Sequence, residues 1–162
     1  MRILITGGCG FVARTLIQEL GGAHEVVLFD RVTPDQATMF GGANGRIPAP
    51  FATDLPCFTG EITDPEALRP AMAGIEAVVH LAANPTGQAD QGVSIFRDNA
   101  LGTYVVLDEA RRAGVKRVLC ASSINAFGTF FWRISGQPVD WGRLPLTEDY
   151  PAVPEDPYSL SK

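Results

Sequence analysis

Basic runs, metal-type cysteine spacings and long apolar stretches are all missing from this sequence, and each absence removes a class of function. Lysine and arginine number 13 against 18 acids, for a formal net charge of −5, and no cationic cluster gathers to meet a row of phosphates. Nucleic acid and acidic membrane surfaces are therefore not expected partners. The three cysteines, Cys9, Cys57 and Cys120, are odd in number and stand in no ligand spacing. Set among apolar or strand-like neighbours, they read as buried reduced thiols, and no metal is expected. No run approaches the roughly twenty apolar residues that span a bilayer. The first strand pattern begins directly after Met1 and leaves no room for a signal peptide, so a cytoplasmic protein is expected. There is no internal repeat, low-complexity tract or heptad. What remains is a chain of 162 residues, 46% hydrophobic, long enough for one domain with a core of its own.

The most informative stretch is Ile3-Leu4-Ile5-Thr6-Gly7-Gly8-Cys9-Gly10-Phe11-Val12-Ala13. A short aliphatic run followed by three glycines and then by helical periodicity is a buried strand turning sharply into a helix. Gly7 is free to adopt the angles of the tight turn, Gly10 has no Cβ to block a pyrophosphate, and Ala13 lets the helix pack close on the strand. The first free N–H groups of that helix, together with its dipole, favour phosphates. Val12, Leu16, Ile17 and Leu20 give the helix an apolar side that ends at Gly21-Gly22, and a second strand, Val26-Val27-Leu28-Phe29, closes at Asp30. An acid about twenty residues beyond the glycines is placed to hold the diol of an adenosine ribose. Its charge repels a 2′-phosphate, so NAD is expected over NADP, with Arg31 beside it.

Residues 31–52 carry Gly41-Gly42-Ala43-Asn44-Gly45 at their middle and no apolar period, which predicts a loop with room for a short helix. A third strand is expected at Cys57-Phe58-Thr59. Asp64-Pro65-Glu66 then opens a helix with Ala67, Leu68, Ala71 and Met72 on its apolar side and Gly74 at its stop. The nearly continuous apolar run Ile75 to Ala83 predicts a strand covered on both faces, with His80 as a hydrogen-bonded core histidine. Val93 to Ala113 reads as one long helix with Ile95, Phe96, Leu101, Val105, Val106 and Leu107 inward, and Val115 to Ala121 as a fifth strand ending in Ser122-Ser123. Five strands alternating with helices make the class α/β, doubly wound and parallel. The irregular segment 128–157 carries Phe130, Phe131, Trp132 and Trp141, which either wall a substrate pocket or pack the loop on the sheet. Arg133 and Arg143 are candidates for an anionic substrate group.

The chain closes on Asp156-Pro157-Tyr158-Ser159-Leu160-Ser161-Lys162. One helical turn puts Tyr158 and Lys162 on the same face, and an ammonium beside a phenol favours the phenolate, a usable general base.

The order of these motifs resembles that of the extended short-chain dehydrogenase/reductases, the NAD-dependent epimerase/dehydratase family. The matching stretches are Thr6 to Ala13, Asp30, Gly60-Glu61-Ile62, His80-Leu81-Ala82-Ala83, Asn99 to Thr103, Ser122-Ser123 with Phe127-Gly128, and Tyr158 to Lys162. The resemblance covers the whole chain and implies a Rossmann-type sheet over residues 1–162. It implies Tyr158 as general acid/base, Lys162 as the cation that favours its phenolate and holds the nicotinamide ribose, and Ser123 as the hydroxyl on the reacting oxygen. It implies cofactor contacts from Gly7, Gly8, Cys9, Gly10, Phe11, Val12, Asp30, Arg31, Glu61, Ile62, Leu81, Ala82, Ala83, Asn99 and Ala121, besides Tyr158 and Lys162. Glu61 takes the adenine amino group where the family usually has Asp, and Ile62 packs on the adenine ring. Phe127 replaces a common tyrosine. The dehydratases of the family carry Thr-Asp-Glu where this chain has Ser123-Ile124-Asn125, which counts against elimination of water.

Family members continue for about as long again, so the chain reads as the N-terminal part, cut before the sheet's second half and the substrate-binding portion. Alone, its end from Tyr158 to Lys162 is expected to fray and to be nearly inactive. The function expected of the whole is an NAD-dependent oxidation at a sugar or nucleotide-sugar hydroxyl, continuing to epimerisation in a homodimer. The alternatives are a dehydrogenase of a free sugar or sugar acid, and a cofactor-binding module without catalysis.

Overall fold

The computed structural model describes residues 1–20, 22–40, 45–86, 89–128, 135–137, 142 and 144–162. In chain order its elements are β1 (Arg2–Thr6), α1 (Phe11–Leu20), β2 (Glu25–Asp30), a 3-10 turn (Pro34–Gln36), β3 (Thr38–Phe40), β4 (Arg46–Pro48), β5 (Cys57–Thr59), α2 (Pro65–Ala71), β6 (Ala77–His80), a 3-10 turn (Ala89–Gln91), α3 (Gly92–Phe96), a π turn (Arg97–Leu101), α4 (Gly102–Arg112), β7 (Arg117–Cys120), a 3-10 turn (Ile124–Phe127) and α5 (Pro157–Leu160). The chain forms two compact units, the first of Met1–Ala82 with Gly102–Ala121 and the second of Ala83–Leu101 with Ser122–Lys162.

The first unit holds the five-stranded sheet, in the order β5-β2-β1-β6-β7 with every neighbour parallel. β1 and β2 are apolar at successive positions because successive side chains point to opposite faces and both faces are covered. Leu4, Val27, Phe29 and Val78 meet Leu68, Ala71, Met72, Val106 and Ala110 on one side. Ile3, Ile5, Val26 and Leu28 meet Ala13, with Leu16, Ile17 and Leu20 packed around them, on the other. This is the doubly wound α/β architecture expected, with α1 on one face and α2 and α4 on the opposite one.

Local signals account for most of the boundaries. Asp64 caps α2 by accepting from the N–H groups of Glu66 at 2.9 Å and Ala67 at 3.4 Å, and Pro65 occupies the first helical position, where a missing N–H costs nothing. Gly74, which follows α2, has φ +70°. Strand order places the carboxyl ends of β1 and β6 side by side, the point of an open α/β sheet where connections diverge and ligands bind.

Several expectations change. The 31–52 segment is more than a loop: β3 and β4 pair antiparallel as a two-stranded ribbon after the 3-10 turn. The continuous helix over 93–113 is broken into α3, a π turn and α4. Of its expected inward residues, Ile95 and Val106 are fully buried, whereas Phe96, Leu101 and Leu107 are exposed. Val12 is also exposed, because Ala13 is the α1 residue that meets the sheet. Only Cys9 of the three thiols is buried; Cys57 is half-buried and Cys120 exposed, because all four residues of β7 are exposed. Among the described residues, no helix is long and apolar enough to cross a membrane.

The second unit contains α3, the π turn, the 3-10 turn at Ile124–Phe127 and α5, with α5 packed against both α3 and that turn. Gly128 ends the turn at φ +72°, and a side chain there would run into the carbonyl of Val153. Phe127 meets Tyr150 edge to face at 5.8 Å. Phe130, Phe131, Trp132, Arg133, Trp141 and Arg143 lie outside the described residues.

Candidate functional site

In the first unit, the turn from β1 into α1 is built on close backbone contact. Gly7 has φ +70°, and a Cβ on it would lie 2.7 Å from the Ala82 nitrogen and 2.9 Å from its Cα. No other residue type lets the turn approach the end of β6 this closely. The Gly10 N–H donates to the Gly7 carbonyl at 2.9 Å, closing the turn before α1 starts at Phe11. A Cβ on Gly10 would meet only the Gly7 carbonyl, at 3.0 Å, so the space it faces is otherwise open. Phe11 and Val12 are exposed, and the first N–H groups of α1 have no partner within the helix.

Asp30 stands at the end of β2, half-buried. Its Oδ2 accepts the Cys9 N–H at 2.9 Å and its Oδ1 the Arg31 N–H at 2.7 Å. The carboxylate is therefore held by the turn it serves, and each oxygen keeps acceptor capacity for a diol. An uncluttered glycine turn, free helix N–H groups and a fixed carboxylate together fit the pyrophosphate and ribose of a dinucleotide.

The surrounding residues complete this description. Arg31 and Glu61 are exposed, while Gly8 is buried and Leu81 and Ala82 are half-buried. Ile62 is 7% exposed and sits in the core, where a Cβ on Gly102 would come within 2.6 Å of its Cδ1. His80 bonds Thr6 Oγ1 through Nδ1 at 2.6 Å and Thr103 Oγ1 through Nε2 at 3.0 Å, the structural role read for it in the sequence. Burial, and then the charge of Asp30, push the Cys9 thiol up to about 12, and burial also raises Cys57. Neither is a reactive thiolate at neutral pH. Among the described residues, no group of three or more His, Cys, Asp or Glu is arranged to hold a metal ion.

In the second unit, Asp156 caps α5 by accepting from the Ser159 N–H at 3.0 Å and from the Ser159 hydroxyl, and Pro157 fills the first helical position. This fixes Tyr158 within the single turn that leads to Lys162, whose N–H closes on the Ser159 carbonyl at 3.3 Å. Tyr158 and Lys162 are both half-buried. Ser123 begins the 3-10 turn against which α5 packs, its Oγ accepting the Asn125 N–H at 3.2 Å. The Ser123 hydroxyl proton is not used in that bond and is available to donate. Asn125 is buried, and its Oδ1 has no partner among the described residues.

Asn99 is presented by the π turn, a device often found at functional sites. Its Oδ1 accepts the Asn84 N–H at 2.6 Å, and its Nδ2 donates to the Asn84 carbonyl at 3.0 Å and to Ser161 Oγ at 2.8 Å. One side chain thus joins the segment after Ala83 to the end of α5. The sequence reading passed over Asn84, for which the only sequence signal is a polar residue closing an apolar strand before Pro85. It also passed over Arg14, a cation in the first turn of α1, where the dipole disfavours one.

Comparison with known proteins agrees with this geometry. The family model described as NAD dependent epimerase/dehydratase family matches residues 3–162. A UDP-glucose 4-epimerase of Neisseria meningitidis serogroup B is 30% identical over 99% of the chain and 45% of its own length. An NAD-dependent glucose-6-phosphate dehydrogenase of Haloferax volcanii is 32% identical over 79% of the chain and 45% of its own length. Among solved structures, the Thermus thermophilus UDP-glucose 4-epimerase in complex with NAD superposes with a TM-score of 0.77 at 26% identity, over 100% of this chain and 47% of that one. The chain thus spans less than half the length of these relatives. With the fold, the glycine turn and the match over nearly every residue, it belongs to the NAD-dependent epimerase/dehydratase family.

Proposed function

We propose that the whole protein is an NAD-dependent oxidoreductase or epimerase acting on a hydroxyl of a sugar or nucleotide sugar. The observation that carries the reading is the capped turn at the end of the chain, which presents Tyr158 one turn before Lys162 and packs on the turn opened by Ser123. Bound NAD supplies a hydride acceptor. Gly7, Gly10, the start of α1 and Asp30 bind it, and the negative charge of Asp30 selects against a 2′-phosphate. Tyr158, one turn before Lys162, takes the proton of the substrate hydroxyl. Ser123 donates its own hydrogen to the same oxygen as it becomes a carbonyl oxygen. Asn99 keeps the Tyr158 turn in position through Ser161. Glu61, Ile62, Leu81, Ala82, Ala83 and Ala121 are further candidates for cofactor contact.

Two outcomes are open to a substrate so oxidised. If it takes the hydride back on the other face, the net reaction is epimerisation, as the name of the Neisseria relative describes. If it leaves, the protein is a dehydrogenase, as the name of the Haloferax relative describes. Ile124 and Asn125 offer neither acid nor base for removing water, which disfavours dehydration. A homodimer in the cytoplasm is the form proposed for the whole protein. Tyr104 and Leu107 on α4 are 65% and 41% exposed, an apolar surface of the kind that subunit contacts cover.

The test is Tyr158→Phe in the full-length protein, with NADH followed at its near-ultraviolet absorbance across candidate sugars and nucleotide sugars. Loss of a positioned acid/base is expected to lower turnover by about 10²–10⁴-fold with NAD affinity unchanged. Undiminished turnover overturns the reading, and binding of NAD with no turnover in either protein favours the non-catalytic module.

A further inference from the structure

Arg14 is a cation where a helix normally avoids one. It lies in the first turn of α1, which carries no acid to offset it. The dipole of the helix and the arginine charge oppose each other there, so the residue is held by something stronger. Its guanidinium donates twice to the Cys9 carbonyl, from Nε at 3.3 Å and from Nη2 at 3.2 Å, and Nη2 also donates to the Ala49 carbonyl. The same group stacks on the Phe51 ring with its carbon 4.3 Å from the ring centre. Lysine cannot reproduce this arrangement, because a planar fork is needed to meet two carbonyls and a ring at once.

The partners of Arg14 connect two parts of the first unit. Cys9 is the middle of the glycine turn, and the two peptide units that flank its Cα are each held, the N–H of the first by Asp30 and the carbonyl of the second by Arg14. Its thiol donates to the Val32 carbonyl at 3.3 Å, directly after the Asp30-Arg31 pair. Ala49 and Phe51 belong to the excursion that departs after β2. Their N–H groups return to the carbonyls of Ala37 at 2.8 Å and Pro34 at 3.1 Å, so the excursion closes on itself.

We propose that Arg14 is a positioning residue for the dinucleotide: it fixes the orientation of the Cys9 main chain in the phosphate turn and couples occupancy of that turn to the order of residues 34–40 and 45–51. The inference rests on the reading of this turn as the NAD site. Phosphates seated on the start of α1 reverse the unfavourable sign at the helix terminus, since the Arg14 charge then faces anions. Binding tightens the Arg14 fork, and the fork tightens the excursion. Linkage makes the coupling reciprocal, so loosening the excursion weakens NAD binding.

The experiment uses the full-length protein with NAD as probe, in two readouts. Calorimetric titration gives the dissociation constant, and hydrogen exchange follows peptides covering residues 34–40 and 45–51 with and without NAD. In the unmodified protein, NAD is expected to slow exchange in these peptides. Arg14→Met is expected to raise the dissociation constant at least about tenfold and to abolish the NAD-dependent slowing, with Arg14→Lys intermediate. Phe51→Leu leaves every hydrogen bond and charge in place, so it tests the coupling if Arg14→Met does not fold. It is expected to raise the dissociation constant about threefold. A drop in melting temperature with unchanged affinity and unchanged NAD-dependent slowing, in Arg14→Met or in the Lys and Leu variants, overturns the inference and leaves Arg14 as a structural tie. Failure of the unmodified protein to bind NAD overturns the reading beneath it instead.

Discussion

Replacing Gly7 with alanine isolates the backbone contact on which the nucleotide turn depends. Two costs add at that position. Its φ of +70° is a left-handed conformation that costs an L-residue about 1–2 kcal/mol. The new Cβ would also lie 2.7 and 2.9 Å from backbone atoms of Ala82, which no rotamer change relieves. Forcing a methyl into such a contact costs a further ~1–3 kcal/mol, giving about 2–5 kcal/mol in all. Gly114 is the control, since it shares the sign of φ at +75° but a Cβ there has nothing within 4 Å. Gly114→Ala is expected to show the conformational cost alone, about 1–2 kcal/mol. The overlap difference of ~1–3 kcal/mol corresponds to about 2–12 °C between the two melting temperatures. Urea unfolding of both variants measures the difference directly. Equal destabilisation at the two sites refutes the argument that close approach to β6, and not the turn angle alone, requires glycine at position 7.

Two other predictions concern ionisation. The Asp108 carboxyl is held below the usual carboxylate range by hydrogen bonds first from Arg111 and then from Arg112. A carboxyl lowered in the folded state contributes stability that is present above its unfolded value near 4 and lost as pH falls through the folded value. Asp108→Asn is therefore expected to lower stability at pH 7 but not at pH 2. A pH-independent difference in urea midpoints counts against the ion pairs. With Cys9 pushed up to about 12, its thiolate fraction at pH 8 is on the order of 10⁻⁴. An aromatic disulfide reagent should therefore leave Cys9 unmodified until the protein unfolds, and rapid labelling of Cys9 in the folded protein contradicts the burial described.

The parts of the fold that a sequence can announce are those where one residue type answers to one physical need. Gly7 marks the turn because no side chain fits against Ala82, Gly10 because it leaves the space before α1 open, Asp64-Pro65 marks the start of α2, and the apolar runs of β1, β2 and β6 mark strands covered on both faces. What stayed hidden depends on partners distant in the chain. β3 and β4 are three residues each, too short for a period to register, and flank a glycine-rich stretch that on its own looks like a loop. The π turn interrupts what the apolar spacing reads as one helix, and its Asn99 bonds Asn84 outside that helix. Among the candidate site residues, Asp30, Ser123 and Tyr158 stand out by their order, whereas Asn84 and Arg14 do not, since each is tied through main-chain carbonyls or N–H groups that any residue offers.

On the function proposed, the glycine turn and Asp30 hold the two ends of the adenosine diphosphate half of NAD. Calorimetric titration of NAD into the folded full-length protein and into its Gly10→Val variant tests it most directly. A single saturable site is expected in the first and a loss of affinity of at least about 30-fold in the second, since a branched side chain fills the open space before α1. Absence of binding heat in the folded protein, or equal affinity of the two proteins, contradicts it.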